Sequence, residues 1–306
     1  MTTSGAFLAG SLAGGPAQAR GTTPGVTSAG APMRIGTVAL TVRDLDTVSR
    51  FYREVIGLTP IETGTGLARL GVGETALLEL RHDPAAPLAS PRAAGLFHIA
   101  FLVPNRTDLA QWLLHAAERR VPLQGASDHL VSEAIYLADP EGNGIEVYWD
   151  RPSETWSWRD GMVEMATLAL DLNGLVAPVK TRDWAGLPIG SLIGHVHLQV
   201  GALDASDRFY ADLLGFEVMT RYPGATFLGS GGYHHHIGTN IWNSRGAPVR
   251  SEPTTGLADV EIVAEPGTLE TLRSRLSPEQ ASEAGPMGLP LRDPWGTSIT
   301  VVTAES

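Results

Sequence analysis

The strongest constraint on the fold is a strand–turn–helix pattern that occurs four times. IGTVALTVRDLDTVSRFYREVIGLTP, from Ile35, reads as an alternating apolar strand, a turn and a helix. IGHVHLQVGALDASDRFYADLLGFEV, from Ile193, repeats that order, with Phe-Tyr at the same helical place and a glycine after the helix. Glycine is expected just past a helix end, where the chain needs φ > 0. Val48, Phe51, Tyr52, Val55 and Ile56 form one apolar stripe, the side of the helix that must be covered. Looser copies start at Gly95 (GLFHIAFLVPNRTDLAQWLLHAAERRVPL) and Gly256 (GLADVEIVAEPGTLETLRSRL). Each runs on into a hairpin, AIYLADPEGNGIEVYWD in one and LPLRDPWGTSITVVTA in the other.

A repeat of this length predicts an α+β chain of four βαβββ units, at about 35–84, 95–150, 193–243 and 256–303. Residues 34–150 and 193–306 are then two domains of two units each. The stretch 151–192 is a linker, aromatic and irregular (SETWSWRDG, RDWAGLP), suited to packing across the junction. Residues 1–33 are expected to be a disordered leader rich in Gly, Ala, Ser, Thr and Pro, with Arg20 its one charged side chain before Arg34. FLAGSLAGG faintly resembles a signal peptide but lacks a basic start. A cytoplasmic location is therefore expected. Met33 opens MRIGTVALTV, where patterned sequence begins.

Composition removes several classes of function. The net charge of -11, from 22 Lys+Arg against 33 Asp+Glu, argues against nucleic acid or an anionic membrane as partner. No run approaches the roughly 20 apolar residues of a membrane helix. With no cysteine in the chain, disulfides, thiolate metal sites and cysteine nucleophiles are excluded. A metal would have to sit on His, Asp, Glu, backbone or water.

GSGGYHHHIGTN, Gly229 to Asn240, sets His234, His235 and His236 in a row. On a strand, His234 and His236 would share one face and His235 would take the other. An isolated histidine is more often a satisfied core residue than a ligand, so the triplet needs partners from elsewhere.

GASDHLVSEAIYLADPEGNGIEVYWDRP, IGHVHLQV and GGYHHHIGTNIW supply the context. With the fourfold repeat they resemble the vicinal oxygen chelate superfamily (glyoxalase I, bleomycin-resistance proteins, extradiol dioxygenases), most of all its bacterial catechol 2,3-dioxygenase type. The resemblance implies that units pair into two curved mixed-sheet half-barrels, each around a cavity. It also implies a ligand place at the start of a unit's first strand and another on its last. Those places hold Thr37 and Glu79 in unit one, His98 and Glu146 in unit two, His195 and His236 in unit three, and Ala258 and Thr300 in unit four. Pairing the middle two units fills one site; both kinds of pairing occur in the superfamily.

The resemblance further implies His98, His195 and Glu146 as ligands of Fe(II), with Mn(II) or another divalent metal as alternatives. The implied reactants are a small aromatic diol and O2, and a homo-oligomer is compatible with the pattern. His236 is either a fourth ligand or the acid/base; it is assigned the proton-carrying role, with His234 as support. His129 lines the cavity or caps a turn. Tyr148, two residues past Glu146, shares its face and is a candidate to bond a substrate oxygen. His197 shares a face with His195, while His82 and His115 are expected at the surface. Asp139 and Asn143 read as turn formers. A metal-dependent glyoxalase-like isomerase or lyase, and a resistance-type binding protein, are the alternative functions.

Overall fold

The computed structural model describes residues 25–251, 253–285 and 288–304. Two sheets carry the fold. In the middle-unit sheet, the first strands of units two and three, Gly95–Leu102 and Leu192–Gln199, lie side by side and antiparallel. In the outer-unit sheet, Met33–Val42 of unit one pairs antiparallel with Gly256–Ala264 of unit four. Within each unit the first strand pairs parallel with the last, as in Ala100↔Glu146 and His197↔Gly238. Each sheet thus draws one unit from residues 34–150 and one from 193–306. Unit four contributes three strands among the described residues, Gly256–Ala264, Leu289–Arg292 and Ser298–Thr303, where the repeat predicts four.

Period-2 alternation sorts the side chains. Along Gly95–Leu102, Ile99 and Phe101 enter the shared core, while His98 and Ala100 turn to the opposite face. Along Leu192–Gln199, Ile193, Val196 and Leu198 are core, and His195 and His197 take the other face. A bulge between Ile193 and His195 switches the phase, so these two residues face opposite ways although two apart. Gly194 sits in it because the Tyr148 hydroxyl occupies the space a Cβ would need. One hydrophobic core joins the sheets, with Val38, Leu40 and Val260 from one meeting Ile99, Ile193 and Val196 from the other.

The helices of units one and three each end in a π turn, Tyr52–Ile56 and Arg208–Leu213. The repeated Phe-Tyr has a purpose there. The Tyr52 hydroxyl donates to Asp139 Oδ2 (3.3 Å) and the Tyr210 hydroxyl to Asp293 Oδ2 (3.1 Å). Each aspartate opens the Asp-Pro turn of the next unit. Asp139 Oδ1 accepts from the backbone N–H of Glu141 and Asn143, and Asp293 Oδ1 from Trp295 and Thr297. Asp139 and Asn143 therefore act as turn formers. Sheets join units two to three and one to four; these tyrosines cross-link one to two and three to four. Burial pushes both aspartates and both tyrosines above their ordinary pKa values. Tyr52→Phe leaves a buried carboxyl short of a donor and should cost roughly 1–3 kcal/mol, read as a lower denaturation midpoint in urea at unchanged slope.

The linker is folded. Trp158–Arg159 pairs with Met162–Val163, and Leu168–Ala169 adds an edge strand beside Gly125–Asp128. Part of the leader is ordered too, contrary to expectation. Ser28 and Ala31 are buried, the Val26 N–H donates to Ser153 Oγ (3.0 Å), and Ser28 Oγ donates to the Gly194 carbonyl (3.3 Å). These contacts offset the ordering entropy that the composition alone would not. The rest of the leader, residues 1–24, lies outside the described residues. Among the described residues no helix is long and apolar enough to cross a membrane.

Candidate metal centre

The middle-unit sheet brings His98, Glu146 and His195 together on its cavity face. One ligand atom from each lies within 4.8 Å of the others, and all three residues are buried. Among the described residues this is the one group with such spacing. Glu146 Oε2 is 3.0 Å from His98 Nε2 and 3.2 Å from His195 Nε2. The strand pairing explains the arrangement. Ala100 faces both Glu146 and His195 across its two neighbours, so His98, one step along the same face, completes a triangle.

The donor set fits a divalent metal. His98 Nε2 is buried and lacks an aligned hydrogen-bond partner despite its closeness to Glu146. Burial pushes Glu146 up, but His195 and His98 outweigh it and hold the carboxyl well below its usual range. Burial drives His195 down to about 4 against the pull of Glu146. A carboxylate beside a neutral His195 is the protonation state that metal binding requires of them. Two imidazoles and one carboxylate suit Fe(II), Mn(II) or Zn(II). In the outer-unit sheet Glu79 instead pairs with Arg69 (3.2 Å) and Arg81 (2.7 Å).

The fourth ligand place is where the structure departs from the sequence reading. Unit two sets Glu146 opposite Ala100, and unit three sets Gly238 opposite His197. The counterpart of Glu146 is therefore Gly238, not His236. A Cβ on Gly238 would meet the His197 ring at 2.9 Å, so that imidazole fills the corner.

The triplet also departs from strand alternation. Gly231 and Gly232 adopt positive φ, and the following strand begins only at Ile237, so His234, His235 and His236 lie in a bend. His235 lines the cavity, its ring centroid 4.0 Å from that of His195. His236 is fully buried away from the cavity, beside Phe216 and Tyr233, with Nδ1 accepting from the Ser230 N–H (3.2 Å). His234 does not line the cavity but links two groups. Its Nε2 donates to Asp150 Oδ1 (2.7 Å), and its Nδ1 lies 2.7 Å from Nδ1 of His235. Where His234 accepts at Nδ1, His235 donates there and its Nε2 is left as an acceptor. Burial holds His235 well below its ordinary pKa.

Tyr148 is buried next to His195, with ring centroids 4.9 Å apart, but its hydroxyl meets the Tyr233 hydroxyl (2.8 Å) rather than the cavity. His129 does line the cavity. Its Nδ1 donates to the Ala166 carbonyl (2.7 Å), so Nε2 accepts from the Tyr136 hydroxyl (2.6 Å). Tyr136 is a site residue that sequence reasoning missed. Counting back from the DPEGN turn pairs it with Glu146, a signal present in the hairpin. Met165, Ala166 and Thr167 of the linker also line the cavity, which has a volume of about 340 Å3. His82 is exposed; His115 is half-buried, bonded to the Glu54 carbonyl and stacked on Trp184.

A curled sheet built from two repeated units, with a buried His-Glu-His group on its cavity face, defines the class of fold. The Glyoxalase/Bleomycin resistance protein/Dioxygenase superfamily model matches residues 34–147 and 192–268, and the chain belongs to that superfamily. Catechol-2,3-dioxygenase of Bacillus subtilis (strain 168) is 41% identical over 243 residues, covering 78% of this chain and 85% of that protein. Biphenyl-2,3-diol 1,2-dioxygenase 3 of Rhodococcus globerulus is 26% identical over 138 residues, 42% of this chain and 70% of that protein. Among solved structures, glyoxalase I from Zea mays aligns with a TM-score of 0.52 at 16% identity, over 89% of this chain and 92% of that one. That likeness concerns the fold.

Proposed function

We propose that the protein is an extradiol ring-cleaving dioxygenase acting on a catechol-like diol with O2. The observation that carries this is a three-ligand site whose fourth place is Gly238. His98, Glu146 and His195 would hold a divalent metal, which would supply Lewis-acid activation of the diol and O2. A four-ligand isomerase site would need a donor where Gly238 stands. The identity to a catechol-2,3-dioxygenase supports the same reading.

The chain's own residues divide the remaining work. His235 accepts a proton from a diol hydroxyl at Nε2 and later returns one to the departing oxygen. Asp150 and His234 hold His235 in the tautomer that can accept. His129 and Tyr136 fix the wall beside Glu146. His236 and Tyr148, assigned to catalysis on sequence, support the packing.

Protein loaded anaerobically with Fe(II) should consume O2 on addition of catechol and give a yellow ring-opened product. A metal-loaded protein that consumes none overturns the proposal. Glu146→Gln keeps the shape and removes the anionic ligand. It should weaken metal binding by more than the 10–100-fold typical of outer-shell changes, measured by competition with a chelating dye.

A further inference from the structure

We infer that the favoured substrate is an uncharged catechol bearing an apolar substituent, with Trp242 as a specificity-determining residue; this rests on the dioxygenase reading above. An aromatic wall adjoins the ligand residues. The Phe97 ring lies 5.4 Å from His98 and 5.5 Å from Trp242, centroid to centroid. His197 sits inside this wall, 5.5 Å from Trp242 and 5.6 Å from Phe227.

Trp242 and Tyr222 line the cavity yet remain 46% and 45% exposed, so they form its mouth. The polar edge of Trp242 is satisfied, because Nε1 donates to the Pro223 carbonyl (3.0 Å). The part of its ring not packed on Phe97 and His197 is open to contact. The cavity volume of about 340 Å3 is more than an unsubstituted diol ring fills; ligand pockets run from roughly 300 to 1,000 Å3.

Charge narrows the class further. Among the described residues lining the cavity there is no Arg and no Lys, and the one carboxylate is Glu146. A substrate carboxylate would enter without a cationic partner and face that negative charge, which is costly in a desolvated site. An alkyl or aryl group, by contrast, gains from leaving water against aromatic surface.

The test is calorimetric titration of the Mn(II)-loaded protein, with O2 excluded, using catechol, 4-ethylcatechol and 3,4-dihydroxyphenylacetate. The ethyl compound should bind about tenfold tighter than catechol, as two buried carbons imply. The carboxylated compound should bind at least about tenfold weaker than catechol. Trp242→Ala should cut the ethyl advantage to about threefold or less. Equal or tighter binding of the carboxylated diol, or no ethyl advantage, overturns the inference. These affinities are read without turnover, so failure of ring cleavage would remove the dioxygenase reading and leave the preference measurable. Absence of binding by all three diols would overturn both.

Discussion

His235→Ala should lower kcat for ring opening by about 10²–10⁴-fold while the metal stays bound, the range expected when a positioned proton carrier is lost. His236→Asn, by contrast, should keep kcat close to that of the parent protein. The difference follows from placement. His235 lines the cavity against His195, whereas His236 is enclosed by Phe216 and Tyr233 and spends Nδ1 on the Ser230 N–H. Single-turnover measurements on Fe(II)-loaded variants would separate the chemical step from metal loss. A larger loss in His236→Asn than in His235→Ala would refute the assignment.

His236 should matter instead for stability in acid. Burial holds it down at about 3, against an ordinary value of 6.5. Between those two values the unfolded chain binds the proton and the folded chain does not. Stability therefore falls as pH drops through this window, by about 1.4 kcal/mol per unit and roughly 5 kcal/mol in total. Above pH 6.5 the group contributes no slope. Metal-free protein unfolded in urea at pH 7.5, 6.0, 5.0 and 4.0 should show this decline. His236→Asn, whose Oδ1 can still accept from the Ser230 N–H, should flatten it by about one proton's worth. An unchanged acid slope in that variant would contradict a neutral buried His236. His234 and His195 near the ring, if protonated, push it further down, so chelation must be complete in both proteins.

Much of this site is legible in the chain because strand periodicity and a repeat fix positions together. His98 and His195 occupy the same place in two copies of one unit, and the DPEGN turn sets Glu146 by counting. The triplet is different. Alternation assigns His234 and His236 to one face only if the backbone is extended there. Gly231 and Gly232 instead fold the chain with positive φ, and the regular strand starts after the last histidine. Parity carried across such a bend has no physical basis. Tyr148 lies on the face that alternation assigns to it, but its hydroxyl meets that of Tyr233, an interaction between residues 85 apart that no local pattern announces. Residues 165–167 line the cavity because Leu168–Ala169 adds to the sheet edge, and a two-residue strand has no periodicity to read.

The order in which the sheets are completed has a consequence for synthesis. The middle-unit sheet has all its strands once Asn240 has left the ribosome, and its ligands can then assemble. The first strand, Met33–Val42, must wait for Gly256–Ala264, more than two hundred residues later, with an apolar edge unpaired throughout. Closing so long a loop is slow, and an open strand is a template for other chains. The nascent protein is thus most exposed to self-association in the interval after its metal centre can form and before its last unit arrives.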